Sequence, residues 1–141
     1  MDTPAPNLAA PRAWSQPEAF LAVLLLAAAG DVQKHARRVR AVDEYLRRAP
    51  FLRPLGEKGR TALRWGVGAH LSAESALAEA CAAIDPAIAP SLYAQALDIL
   101  IDDEVVCPKE EAVIARLEDL LYLNAARAAQ SREIITLKNK Y

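Results

Sequence analysis

Apolar and polar positions alternate along this chain with the 3.6-residue period of helices, and nowhere with the period of two that marks a half-buried strand. From about Gln16, Phe20, Leu21, Leu24 and Leu25 form a stripe that Gly30 closes, with Pro17 in the first turn. Asp31 is placed to cap a second helix running to about Ala49, with Val32, Ala36, Val39, Val42 and Leu46 inward. Pro50 and Pro54 bracket a loop that tucks Phe51 and Leu52 toward the core, and a third helix from about Glu57 carries Leu63, Trp65 and Val67. Gly66 and Gly68 weaken that helix.

Ser72, with Glu74 in the first turn, caps a fourth helix reaching Ile84. After a broken turn at Asp85-Pro86 and Pro90-Ser91, Leu92, Ala96, Ile99 and Leu100 give a fifth apolar face. Pro108 to Leu121 is a sixth helix, burying Val113, Ile114, Leu117, Leu120 and Leu121. A short seventh starts near Asn124, with Arg132 to Leu137 adding a last turn or two. The expectation is an all-α, compact single-domain bundle of about seven helices: a flexible arm over 1–16 and a helical domain over 17–141. A chain of 141 residues buries about two-thirds of its unfolded surface, so it needs no staple.

Ala19 to Ala29 is an unbroken apolar run that invites comparison with a signal-peptide core. The residues before it offer only Arg12 against Asp2 and Glu18. The run is also short of a bilayer span, so it reads as a buried helix, with a signal peptide as the alternative. Two cysteines, Cys81 and Cys107, make no disulfide framework and no zinc spacing, which fits reduced thiols and a cytoplasmic location.

The most informative segment is the elbow between the fifth and sixth helices. Asp102, Asp103 and Glu104 follow one another where a helix ends, against its partial negative charge, at a cost of roughly 0.3–1 kcal/mol each. Glu110 and Glu111 then fall in the first turn of the next helix, where negative charge is favoured. A divalent cation such as Ca²⁺ or Mg²⁺ takes hard oxygen ligands, and Asp103, Glu110, Asp102 and Glu104 offer several across one turn. Calcium wants six to eight oxygens, so such a cation would be weakly bound, and Val105 and Cys107 break the alternation of an EF-hand loop. The other reading is a helix junction, with Asp103 capping a turn and Glu110 closing a capping arrangement on the sixth helix.

The elbow resembles the repeated Ala-x-Ala-Asp-Gly-x-[Val/Ile]-x-x-x-Glu element of the tellurite-resistance TerB-like family. Asp103 stands at the Asp, Glu104 where Gly is usual, Val106 at the apolar position and Glu110 at the Glu. About 74 residues earlier, Ala29 stands at the Asp, Gly30 at the Gly, Val32 or Gln33 near the apolar position and Ala36 at the Glu, so that half lacks both acids. The resemblance covers the helical rhythm of residues 18–125, but its specific content lies around 101–111. It implies a helical bundle of two pseudo-repeated halves, a part in tellurite or other stress resistance, partners in larger assemblies near the membrane, and divalent-metal binding at the elbows.

The chain's near-neutral net charge conceals a dipole. Residues 34–64 hold ten Lys or Arg against three acids, and residues 74–119 hold eleven acids against two basic residues. Such a molecule can steer charged protein partners, pair head to tail with itself, or neutralise its own halves across the fold. A monomer or a small homo-oligomer is the expected state. Lys34, Arg37, Arg38, Tyr45 and Arg48 are read as one solvent face of the second helix, which Arg38→Glu would test. The isoelectric point near 6.1 speaks against a dedicated nucleic-acid binder.

Chemistry has little to stand on. His35 and His70 lie in no motif, and Gly56-Glu-Lys-Gly59 lacks the Walker spacing. Cys107 heads a helix whose dipole favours a thiolate while neighbouring carboxylates oppose it. The expected protein is a non-catalytic binding or scaffolding module with no cofactor beyond a weak cation, a divalent-cation-binding protein being the alternative.

Overall fold

Helix α1 (Gln16–Ala28) is the axis around which the rest is built. The computed structural model describes residues 13–30, 33–72, 75–101 and 106–141. Ser15 and Glu18 start α1 with a reciprocal capping box: the Glu18 N–H donates to Ser15 Oγ at 3.2 Å and the Ser15 N–H to Glu18 Oε1 at 3.0 Å. From Ala19 to Leu25 every residue is buried, and Ala27 and Ala28 are too. A helix that is apolar on all sides has no solvent face to offer, so it is enclosed by its neighbours. Of the apolar run only Leu26, half-buried, and Ala29, exposed, escape full burial, and no helix among the described residues is long and apolar enough to cross a membrane.

Four helices pack on α1: α2 (His35–Arg48), α3 (Gly56–Gly68), α4 (Ala76–Ala83) and α5 (Ala89–Leu100). Helix α6 (Pro108–Leu120) packs on α4 and α5, and α7 (Ala125–Lys140) lies along α5. No strand occurs among the described residues. Pro50 ends α2 and opens a 3₁₀ segment, Pro50–Leu55, in which Leu52 is buried and Phe51 is partly exposed with its ring 5.4 Å from that of Phe20. Gly56 follows at φ +68, the left-handed region that glycine enters without a Cβ clash.

Several expectations are corrected. Helix α4 starts at Ala76, not after Ser72: Ser75 takes the N-cap position, but its hydroxyl donates to Glu79 Oε1 at 2.8 Å instead of capping. Ala36 is exposed and Val39 only half-buried, so α2 reaches the core through Val42 and Leu46. On α6, Ile114, Leu117 and Leu121 are buried while Val113 and Leu120 are half-buried. Asp31, Val32 and Glu74 and the arm over residues 1–12 lie outside the described residues.

The largest departure is α7, one unbroken helix of 16 residues rather than a short helix and an added turn. Asn124 caps it, accepting from the Ala126 N–H at 2.9 Å and the Arg127 N–H at 3.3 Å. Only Ala128 is fully buried along α7, so apolar burial does little to hold it. Its tethers are polar. Arg132 pairs with Glu111, Asn139 Nδ2 donates to the Ile101 carbonyl at 2.7 Å, and Lys138 Nζ meets Asp98 Oδ1 at 2.8 Å.

Tyr122 joins α6 to α7 at φ +53, in a Schellman turn where the Tyr122 N–H donates to the Asp119 carbonyl and the Leu123 N–H to the Glu118 carbonyl. Glycine is the usual residue there, and Tyr122 is 93% exposed, so its ring gains little packing in return. Tyr122→Gly should therefore raise stability by about 0.5–1 kcal/mol, after glycine's own entropy cost is set against the relieved strain. Urea denaturation checks it, and a loss of stability would show that the ring is held by contacts.

Candidate functional site

The start of α6 meets the start of α2. Glu110, third residue of α6, is 1% exposed, and its Oε1 accepts the Cys107 N–H at 3.0 Å, closing the capping arrangement expected there. Lys34 Nζ lies 3.3 Å from the same oxygen, and Arg38 Nη2 pairs with Oε2. Arg38 Nη2 also donates to the Leu100 carbonyl at 3.2 Å, at the end of α5. The Arg38–Glu110 pair thus ties α2, α5 and α6 together. Burial alone would push the Glu110 carboxyl up, but the Cys107 hydrogen bonds and Arg38 outweigh it and hold the group at about 2.

Arg38 is consequently not on a solvent face. It is 1% exposed, whereas Arg37 and Arg48 are exposed and Tyr45 and Lys34 half-buried. Arg38→Glu would place two carboxylates together in the core and so tests folding, not recognition. Asp102, Asp103 and Glu104 lie outside the described residues, and among those described no group of three or more His, Cys, Asp or Glu converges on a metal position. Glu110 already faces two cations, which a divalent ion would have to approach or displace.

The remaining candidate chemistry is scattered. His35 is the first residue of α2 and His70 is exposed beyond α3. Cys81 is buried on α4, where burial pushes its thiol up to about 11, Arg116 lowering it only in part. Cys107 takes the N-cap of α6.

A second site emerges on the basic face. Asp43 and Arg47 lie one turn apart on α2, and Glu57, Arg60, Thr61 and Arg64 follow one stripe of α3. These residues border a cleft of about 380 Å³. Arg64 Nε donates to Asp43 Oδ1 at 2.9 Å across it, which spends that acid. Arg47 and Arg60, also lining the cleft, form no ion pair with any described residue. Beside them Trp65 stands 78% exposed, an apolar surface too large for a side chain with no packing role. Spacing alone places it: Val67 is buried and Leu63 packs on the core, so Trp65, two residues from each, turns outward.

The fold and these two sites define an all-α bundle with a buried ionic junction and a basic, tryptophan-bearing cleft. Comparison with known proteins adds no relative, since no protein-family profile, no curated protein and no solved structure matches the chain.

Proposed function

We propose that this bundle is a non-catalytic binding module whose α2 and α3 face engages an acidic protein segment. The observation that carries the reading is Trp65, exposed beside Arg47 and Arg60. Tryptophan and arginine are the residues most enriched at the energetic centres of protein interfaces, the ring supplying apolar area and the guanidinium a bidentate grip on carboxylate. The surplus of cations over residues 34–64 would draw an acidic partner to this side. A place in tellurite or other stress resistance, in the cytoplasm, rests on the TerB-like likeness of the elbow alone.

Selection from a library of random peptides displayed on phage tests the reading. The intact protein should enrich peptides that combine Asp or Glu with an apolar residue. A synthetic peptide so found should bind at least ten times more weakly to Trp65→Ala and to Arg60→Glu, with unchanged circular dichroism, and more weakly as salt rises. Enrichment without acidic bias, or equal binding by both variants, would overturn it.

A further inference from the structure

Toward its C-terminal end the outer side of α7 carries an apolar stripe without a partner in the bundle. Its inner side carries Ala128, buried, with Arg132, Ile135 and Asn139, which pack on or bond to the rest of the fold. Opposite them stand Ile134, 64% exposed, Leu137, 54% exposed, and Tyr141, 97% exposed. At about 100° per residue these three fall within roughly 60° of one another. Two exposed charged residues, Glu133 and Lys140, sit together on one flank of this stripe, one turn apart on either side of Leu137.

We propose that the stripe is a homodimer contact, in which α7 packs antiparallel against α7 of a second copy about a two-fold axis midway between Glu133 and Lys140. The register follows from the positions. With about 1.5 Å of rise per residue, Glu133 of one copy lies level with Lys140 of the other, and the symmetry repeats that pair. An antiparallel two-fold brings like flanks together, so both pairs are opposite in charge and on the same side. The apolar residues then interleave along the contact: Tyr141 beyond Ile134 of the second copy at each end, and the two Leu137 side by side at the centre. Neither Glu133 nor Lys140 has an ion pair with a described residue; Lys140 Nζ lies 5.5 Å from the centroid of the Tyr141 ring, an exposed cation–π contact that is all it would exchange for the new pair. A parallel pairing would put the two flanks on opposite sides of the contact and leave Glu133 and Lys140 without these partners. The contact is distinct from the cleft beside Trp65, and its failure would leave that reading untouched.

Three apolar residues a side fall short of the roughly 1,200 Å² of a standard interface, so the dimer should form only as concentration rises. Sedimentation equilibrium of the full chain between about 10 and 500 µM should show the mass climbing from 15.3 kDa toward twice that value. Leu137→Glu should hold the protein monomeric throughout, with helix content unchanged because the side chain is half outside. Glu133→Lys should weaken association at least five-fold, and Glu133→Lys with Lys140→Glu should restore it. A wild-type monomer at every concentration overturns the proposal, as does a dimer indifferent to Leu137→Glu or a charge swap that rescues nothing. Cosedimentation of a monomer with phosphatidylglycerol vesicles, lost in Leu137→Glu, would assign the stripe to a lipid surface and overturn it too.

Discussion

Glu110→Ala should cost about 3–5 kcal/mol, the penalty for leaving the buried Arg38 without its counter-charge. The carboxylate holds Arg38, Lys34 and the Cys107 N–H at once, and Arg38 carries the tie on to the end of α5. Glu110→Gln keeps an oxygen for the Cys107 N–H but gives up the charge, so it should cost less than alanine, about 2–3 kcal/mol. In thermal melts Glu110→Ala should appear as a fall of roughly 10 °C or more. A Glu110→Gln protein as stable as the wild type at neutral pH would show that the ionic part contributes no more than a surface pair.

The same carboxylate sets an acid limb. Its folded value of about 2 lies below the ordinary 4.5, so the fold binds this proton more weakly than the unfolded chain. The stabilisation is fully present above about pH 4.5 and is lost as pH falls through that window toward 2. At order of magnitude the displacement corresponds to about 3 kcal/mol. Glu110→Gln removes the proton-binding group, so its stability should fall less steeply over that window. Parallel acid titrations followed by circular dichroism separate the two, and superimposable curves would count against the junction.

Much of this junction was legible in the sequence, and the part that was not has a physical cause. Pro108 and Glu110 carry the signature of a helix start, and both stand where the spacing put them. Arg38 was hidden by its company. It lies four residues before Val42 and eight before Leu46, on the buried side of α2, yet among Arg37, Arg40 and Lys34 charge reads as solvent exposure. What overrides that prior is the acid seventy-two residues later, a pairing no local pattern contains. The full length of α7 is hidden for the opposite reason: its tethers are Arg132, Asn139 and Lys138, so the apolar period that marks a buried helix is weak. The described residues at the start of α6 form a salt-bridged helix junction.

Leu24→Ala and Trp65→Ala should differ in kind, although both remove a large apolar side chain. Leu24 is fully enclosed in α1, and the small residues Ala22, Ala27 and Ala28 beside it let neighbouring helices approach closely. Helices already in contact have little room to collapse into a hole, so the truncation should cost about 2–5 kcal/mol, lost transfer energy and cavity together. Trp65 projects from α3 into solvent, and its removal should change stability by less than about 0.5 kcal/mol. In urea, Leu24→Ala should move the midpoint down sharply while Trp65→Ala leaves it in place; in peptide binding the order should reverse. A folded Leu24→Ala protein, assayed well below its midpoint, should keep its acidic-peptide affinity because the cleft is built on α2 and α3. If Trp65→Ala instead destabilises the fold as Leu24→Ala does, the indole is a structural element and the cleft beside it loses its strongest claim to a partner.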